Sequence, residues 1–247
     1  MKPRGLAVAG LALLGLLSCT ARRPVSLPLT SSDPTTIFAI VRQREAQIVT
    51  LRARFTADSR RGDEQHSADG VLLVKKPDRF RLRLMLPLGL TVFDYVSWGP
   101  HARMSLPLEN RVASDPTPDS HLAFSQEDLA QAFLRGSRAF PGTCTPSNDD
   151  TAAVVVVCRD APGTILRRIR IDAHGATPLD ETSFEAGQPR MTIRYGDYRM
   201  TGDMLLPYRI ALQYPEQRVS LDISIERYEV NPRLPDELFQ PPPSGGS

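Results

Sequence analysis

The sequence predicts a mainly β protein organised around an antiparallel sheet, and three observations carry that expectation. Phe80, Leu82, Leu84 and Leu86 fall on one face of a run whose other face holds Arg79, Arg81 and Arg83, the alternation of a half-buried strand with a solvated arginine face. Val219, Leu221, Ile223 and Ile225 alternate in the same way with Ser220, Asp222, Ser224 and Glu226. Turn pairs such as Asp69-Gly70, Gly99-Pro100, Pro162-Gly163, His174-Gly175, Ala186-Gly187 and Thr201-Gly202 recur at the spacing that joins short strands in a sheet, sandwich or barrel.

From the N-terminus, Lys2 and Arg4 precede an uncharged apolar run from Leu6 to Leu17, the layout of a secretory signal. Confined to residues 6–17, the run falls short of the roughly 20 residues that cross a hydrocarbon core. It ends in Leu16-Leu17-Ser18-Cys19, which resembles a lipobox: an apolar residue, a small one, then the cysteine that is acylated. We therefore read 1–18 as a lipoprotein signal peptide and Cys19 as the lipidation site, the alternative being an ordinary signal with an incidental cysteine. Residues 20–35 are rich in Pro, Ser and Thr without apolar periodicity, so 19–35 forms the acylated cysteine and a flexible tether. Thr20 rather than Asp follows the cysteine, which by the enterobacterial sorting rule fits a lipid anchor in the outer membrane, facing the periplasm.

The folded domain is expected over 36–240, with 241–247 as a disordered tail. A helix over 34–47 has Asp33 as N-cap, Pro34 at its first position and an apolar stripe of Ile37, Ile40, Val41 and Ile48. A second begins at Ser125, with Asp128 facing the positive helix end and Leu129, Phe133 and Leu134 on its apolar side. Strands are expected near 49–59, 68–75, 79–86, 91–98, 101–106, 152–159, 164–172, 179–186, 190–199, 206–214 and 219–230. In the last, apolar parity flips from Ile225 to Tyr228 and Val230, which places a β-bulge near Glu226. Cys144 and Cys158 flank a turn-rich stretch, Thr145 to Asp150. In an oxidising compartment they suit a disulfide worth about 3 kcal/mol, with two free thiols or a metal site as alternatives. The four histidines lie far from both cysteines in sequence, so no metal is expected.

Charge excludes some functions. The chain has 30 Lys and Arg against 28 Asp and Glu, and the excess lies in Lys2 and Arg4, so the mature protein is neutral and nucleic acid is not an expected partner. There is no G-x-S-x-G, no H-E-x-x-H and no glycine-rich phosphate loop. Neither a catalytic residue nor a cofactor is expected, and the chain is not read as an enzyme.

One resemblance is more specific. Asp78-Arg79-Phe80-Arg81-Leu82-Arg83-Leu84 followed by Pro87-Leu88-Gly89, the preceding Gly70 to Val74 with Lys76-Pro77, and the closing Val230-Asn231-Pro232 and Leu234 to Phe239 together resemble the LolA/LolB family of lipoprotein carriers. The resemblance implies a single curved antiparallel half-barrel of about eleven strands, with helices covering an apolar concave side that holds acyl chains. Phe80, Leu82, Leu84, Leu86 and Val92 are the candidate cavity residues, with core filling as their alternative role. Pro87, Leu88 and Gly89 form a candidate membrane-insertion loop with Leu88 exposed at its tip. The implied partners are lipid or lipoprotein acyl chains, the membrane, and a soluble periplasmic LolA-like carrier as donor, the protein itself being a monomer. A lipoprotein scaffold that docks a protein partner of an envelope machine is the alternative.

Overall fold

Thirteen strands pair into one sheet in the computed structural model, which describes residues 33–114, 126–134, 142–148 and 153–240. The expected signal peptide, Cys19, the expected tether up to residue 32, Ser125, Asp149, Asp150 and the 241–247 tail lie outside the described residues, whereas Pro34 and Thr35, the end of the expected tether, already belong to α1. The elements are α1 (Pro34–Ala46), β1 (Thr50–Arg61), β2 (Glu64–Lys75), β3 (Arg79–Met85), β4 (Thr91–Trp98), β5 (His101–Leu106), β6 (Arg111–Ser114), α2 (Gln126–Leu134), β7 (Thr143–Asn148), β8 (Ala153–Arg159), β9 (Ile165–Asp172), β10 (Thr177–Glu185), β11 (Gln188–Thr201), β12 (Met204–Tyr214) and β13 (Val219–Val230).

All neighbours are antiparallel, in the order β6-β5-β4-β3-β2-β1-β13-β12-β11-β10-β9-β8-β7. Two meanders therefore run outward from the central β1–β13 pair, and β6 and β7 are left as the open edges. The mainly β, single-sheet expectation is borne out with two strands more than expected. The four-residue β6 is too short to show a period, and β7, Thr143-Cys144-Thr145-Pro146-Ser147-Asn148, reads as a turn because of its composition. An edge strand tolerates Pro146, since only one side of it must donate to a ladder.

The bulge falls where parity breaks. Arg54 pairs with Arg227 and Phe55 with Ile225, so Glu226 is passed over and both flanking segments keep their apolar side chains on one face. That inner face can be followed across neighbouring strands through Leu221, Leu212, Ile193, Glu181, Ile169 and Val156. Both helices lie on it. α1 is capped by the Asp33 carboxylate, which accepts from the Thr36 amide at 2.8 Å, and it buries Ile37, Phe38 and Val41 against Val154, Val156, Ile169 and Ile171. α2 buries Leu129, Ala132 and Phe133 nearer the middle of the sheet, where Phe133 tilts against Phe55 at 5.3 Å between ring centres.

The outer face is not the solvated arginine face that alternation predicts. The segment after β13 returns across β2–β4 and buries Leu234 and Phe239 against Leu73 and Val96. Arg81 is enclosed there. It donates to both carboxylate oxygens of Asp94, at 2.9 and 2.6 Å, and to the Leu238 carbonyl at 2.8 Å. Arg79 and Lys75 reach Asp236 of the same segment. Period two says only that the arginines share a face; what covers Arg81 comes from Leu238, 157 positions away.

Candidate functional site

A cavity of about 480 Å³ opens on the inner face between the β1–β2 hairpin, β3–β5, β13 and α2. Its origin is visible in one ladder. Along the inner face of β1–β2 the facing pairs run Leu51–Val74, Ala53–Leu72, Phe55–Gly70, Ala57–Ala68, Ser59–His66 and Arg61–Glu64. The series passes from bulky apolar pairs, through small ones, to polar ones at the hairpin tip. The small pair Ala57–Ala68 leaves space where larger neighbours would fill the sheet–helix layer. At the mouth, Arg60, Arg61, Glu64 and His66 meet solvent.

Leu82, Leu84, Leu86 and Val92 all line this cavity. Val92 does so beside Phe93 because the β3–β4 register shifts between Leu84 and Met85, leaving Val92 as the extra residue. Phe80 does not line it. It packs deeper on the same face, edge-on to Tyr95 at 6.2 Å, where alternation places it correctly but distance along the strand removes it from the opening. Trp98 lies on the outer face with Leu73 and Val96. Phe133 and Leu129 of α2 and Val219, Leu221 and Ile223 of β13 complete the lining; no local pattern could assign them, because they come from distant segments.

Between β3 and β4 the chain makes a single tight turn, Pro87–Gly89, closed by Gly89 N–H donating to Leu86 O at 3.1 Å and Leu86 N–H donating to Leu90 O at 2.9 Å. Leu88 stands at its apex at 106% exposure, with φ of 74°. A left-handed conformation costs an L-residue roughly 1–2 kcal/mol, and Leu has no polar side chain to offset that locally. The surrounding turn imposes it.

The polar groups under α2 are structural pins. Asp128, 1% exposed, accepts both guanidinium nitrogens of Arg190 and the Tyr214 hydroxyl, the latter at 2.6 Å. Burial first, and the adjacent Asp128 carboxylate second, push the Tyr214 hydroxyl far above the ordinary tyrosine range. Glu181, 3% exposed, accepts from Arg167 at 2.7 Å and from Gln131 of α2. Asp128 was expected as a helix-end charge; it is a buried anchor, and its partners are 62 and 86 residues away. Cys144 and Cys158 face each other across β7–β8 and are bridged.

No family model matches the chain, and no curated protein matches it by sequence. Solved structures do match. A DUF1329 family protein from Desulfovibrio piger aligns over 84% of this chain and 98% of its own, with a TM-score of 0.65 at 12% identity. An outer membrane lipoprotein-sorting protein domain from Vibrio parahaemolyticus aligns over 84% and 97%, with a TM-score of 0.60 at 14% identity. A LolA superfamily protein from Nitrosomonas europaea aligns over 82% and 97%, with a TM-score of 0.59 at 13% identity. What is shared at these identities is architecture: one open antiparallel sheet with few helices. This chain has a LolA/LolB-like fold.

Proposed function

We propose that the protein is an envelope lipoprotein, exported by residues 1–18, acylated on Cys19 and tethered through 20–35 to the outer membrane, and that its cavity binds acyl chains of lipoproteins or another envelope lipid for delivery to that membrane. The observation that carries this reading is the coupling of an apolar cavity to an exposed apolar tip. Leu84 of β3, Leu86 at the entry to the Leu88 turn and Val92 of β4 line the cavity on either side of that turn.

A volume of about 480 Å³ is within the roughly 300–1,000 Å³ of small-molecule sites. Transfer of an acyl chain into it gains about 0.8 kcal/mol per CH₂, so retention needs no catalytic group. Leu88, Pro87 and Gly89 form the membrane-insertion loop, in which the imposed backbone conformation keeps the leucine away from the protein's own surface. A soluble periplasmic LolA-like carrier is the proposed donor.

The test uses the chain beginning after Cys19, incubated with a purified carrier loaded with labelled lipoprotein, and then with liposomes. The expected result is transfer to the wild type, loss of uptake in Ala68→Phe, which fills the cavity, and normal uptake without onward delivery in Leu88→Glu. Absence of transfer, with no lipid bound by mass spectrometry, overturns the reading and favours a scaffold that docks a protein partner.

A further inference from the structure

Among the described residues the chain carries the sequence Leu-Pro-Leu twice, as Leu86-Pro87-Leu88 and Leu106-Pro107-Leu108, and each copy makes a tight turn, with Leu88 left-handed at φ of 74° in the first and the left-handed residue Asn110 closing the second. Each enters a three-residue turn, Pro87–Gly89 and Pro107–Glu109, after a strand that ends at the cavity mouth. In each, the first leucine lines the cavity and the second is exposed, Leu88 at 106% and Leu108 at 59%. The two turns lie at the same end of the sheet, because β3 and β5 run in the same direction on either side of β4, and the second turn packs on β4.

We infer that the Pro107–Glu109 turn is a second membrane-contacting tip, and that Leu88 and Leu108 together seat the cavity mouth on the headgroup–acyl boundary of a bilayer. The inference deepens the lipid-handling reading above and takes its occupant from it. Two further observations favour a bilayer. Among the described residues six large apolar side chains are exposed; Leu88, Leu90, Leu108 and Val112 are at the mouth end, while Val49 and Met200 are at the other. The charges beside the tips balance. Glu109 pairs with Arg111 at 3.1 Å, and Arg60 and Arg61 stand next to Asp63 and Glu64. A neutral platform with separate apolar points suits shallow insertion by burial of side chains.

The test uses the full chain with Cys19→Ser and the Cys144–Cys158 bridge intact, so that one introduced thiol carries an environment-sensitive fluorophore. Leu88→Cys, Leu108→Cys and Met200→Cys are labelled separately and mixed with phosphatidylcholine vesicles containing, or lacking, lipid with an acyl-chain quencher. A blue shift with quenching at 88 and 108, and none at 200, is expected. A companion variant, Leu108→Glu, is expected to slow acyl release to vesicles roughly tenfold, the penalty of leaving one leucine unburied, with uptake into the cavity unchanged. Quenching at only one of the two tips overturns the inference and leaves the carrier reading standing. So does quenching at neither tip when a labelled fatty acid still enters the cavity. Equal quenching at all three positions means adsorption without orientation and also overturns it.

Discussion

Gly70 lies opposite Phe55 in the β1–β2 register and directly beneath its ring: a β-carbon at Gly70 would sit 2.1 Å from the ring's Cζ. The ring cannot simply move aside, because Phe133 of α2 packs on it at 5.3 Å between ring centres. Gly70→Ala should therefore push the ring into the cavity and against α2, destabilising the fold by about 1–3 kcal/mol. Urea unfolding would measure the loss, and a solvatochromic fatty acid would report the reduced cavity. Unchanged stability and binding would mean that the ring has room elsewhere.

Asp128 should hold α2 on the sheet. Replacing it with Asn leaves Arg190 and Tyr214 without their charged acceptor and should cost roughly 2–3 kcal/mol, below the usual figure for a broken buried pair because Arg190 is partly exposed. Far-UV dichroism against denaturant checks this.

The same cluster sets an alkaline limit. The folded Tyr214 hydroxyl keeps its proton above the ordinary tyrosine value of 10.0, whereas in the unfolded chain it ionises near that value. The stabilisation is thus fully present below pH 10 and declines as pH rises above it. Tyr214→Phe should flatten this decline in unfolding midpoints measured from pH 8 to 11.

On the outer face, Asp94→Ala strands the enclosed Arg81 and should cost roughly 3–5 kcal/mol, and Phe239→Ala a similar amount through the cavity it leaves. Acid should loosen the same region. The hydrogen bond from Lys75, at 2.5 Å, with the charge of Arg79 behind it, holds the Asp236 carboxyl below its ordinary value of 3.8. Its contribution is present above pH about 4 and is lost as pH falls through the lower folded value. The single tryptophan, Trp98, packs against this cluster, so its emission should change on acidification before the sheet melts, and Asp236→Asn should abolish that step.

Reducing the Cys144–Cys158 bridge, whose cysteines are 14 positions apart, should cost about 3 kcal/mol on the chain-entropy account. Hydrogen exchange should show that loss first in β7, an edge strand held by β8 alone among the strands. Exchange in β7 unaffected by reductant would mean that its ladder and α1 suffice.

By itself the sequence determined the elements whose cause is local: the period-two strands, the α1 cap at Asp33, the bulge at Glu226, and the sharing of one face by Leu82, Leu84 and Leu86. Each depends on neighbours within a few positions, where the pattern of apolar and polar residues is the physical cause. Tertiary structure decided the rest. Phe80 and Leu84 have the same parity, yet only Leu84 reaches the cavity, because the small pair Ala57–Ala68 opens space towards one end of the sheet. The arginines of β3 alternate as a solvated face should, yet Arg81 is enclosed by a segment that returns from after β13. Asp128 looks like a helix-end charge until Arg190 and Tyr214 are brought to it. In each case the deciding group is far along the chain and enters only when the sheet brings it into contact, so local periodicity carries no trace of it.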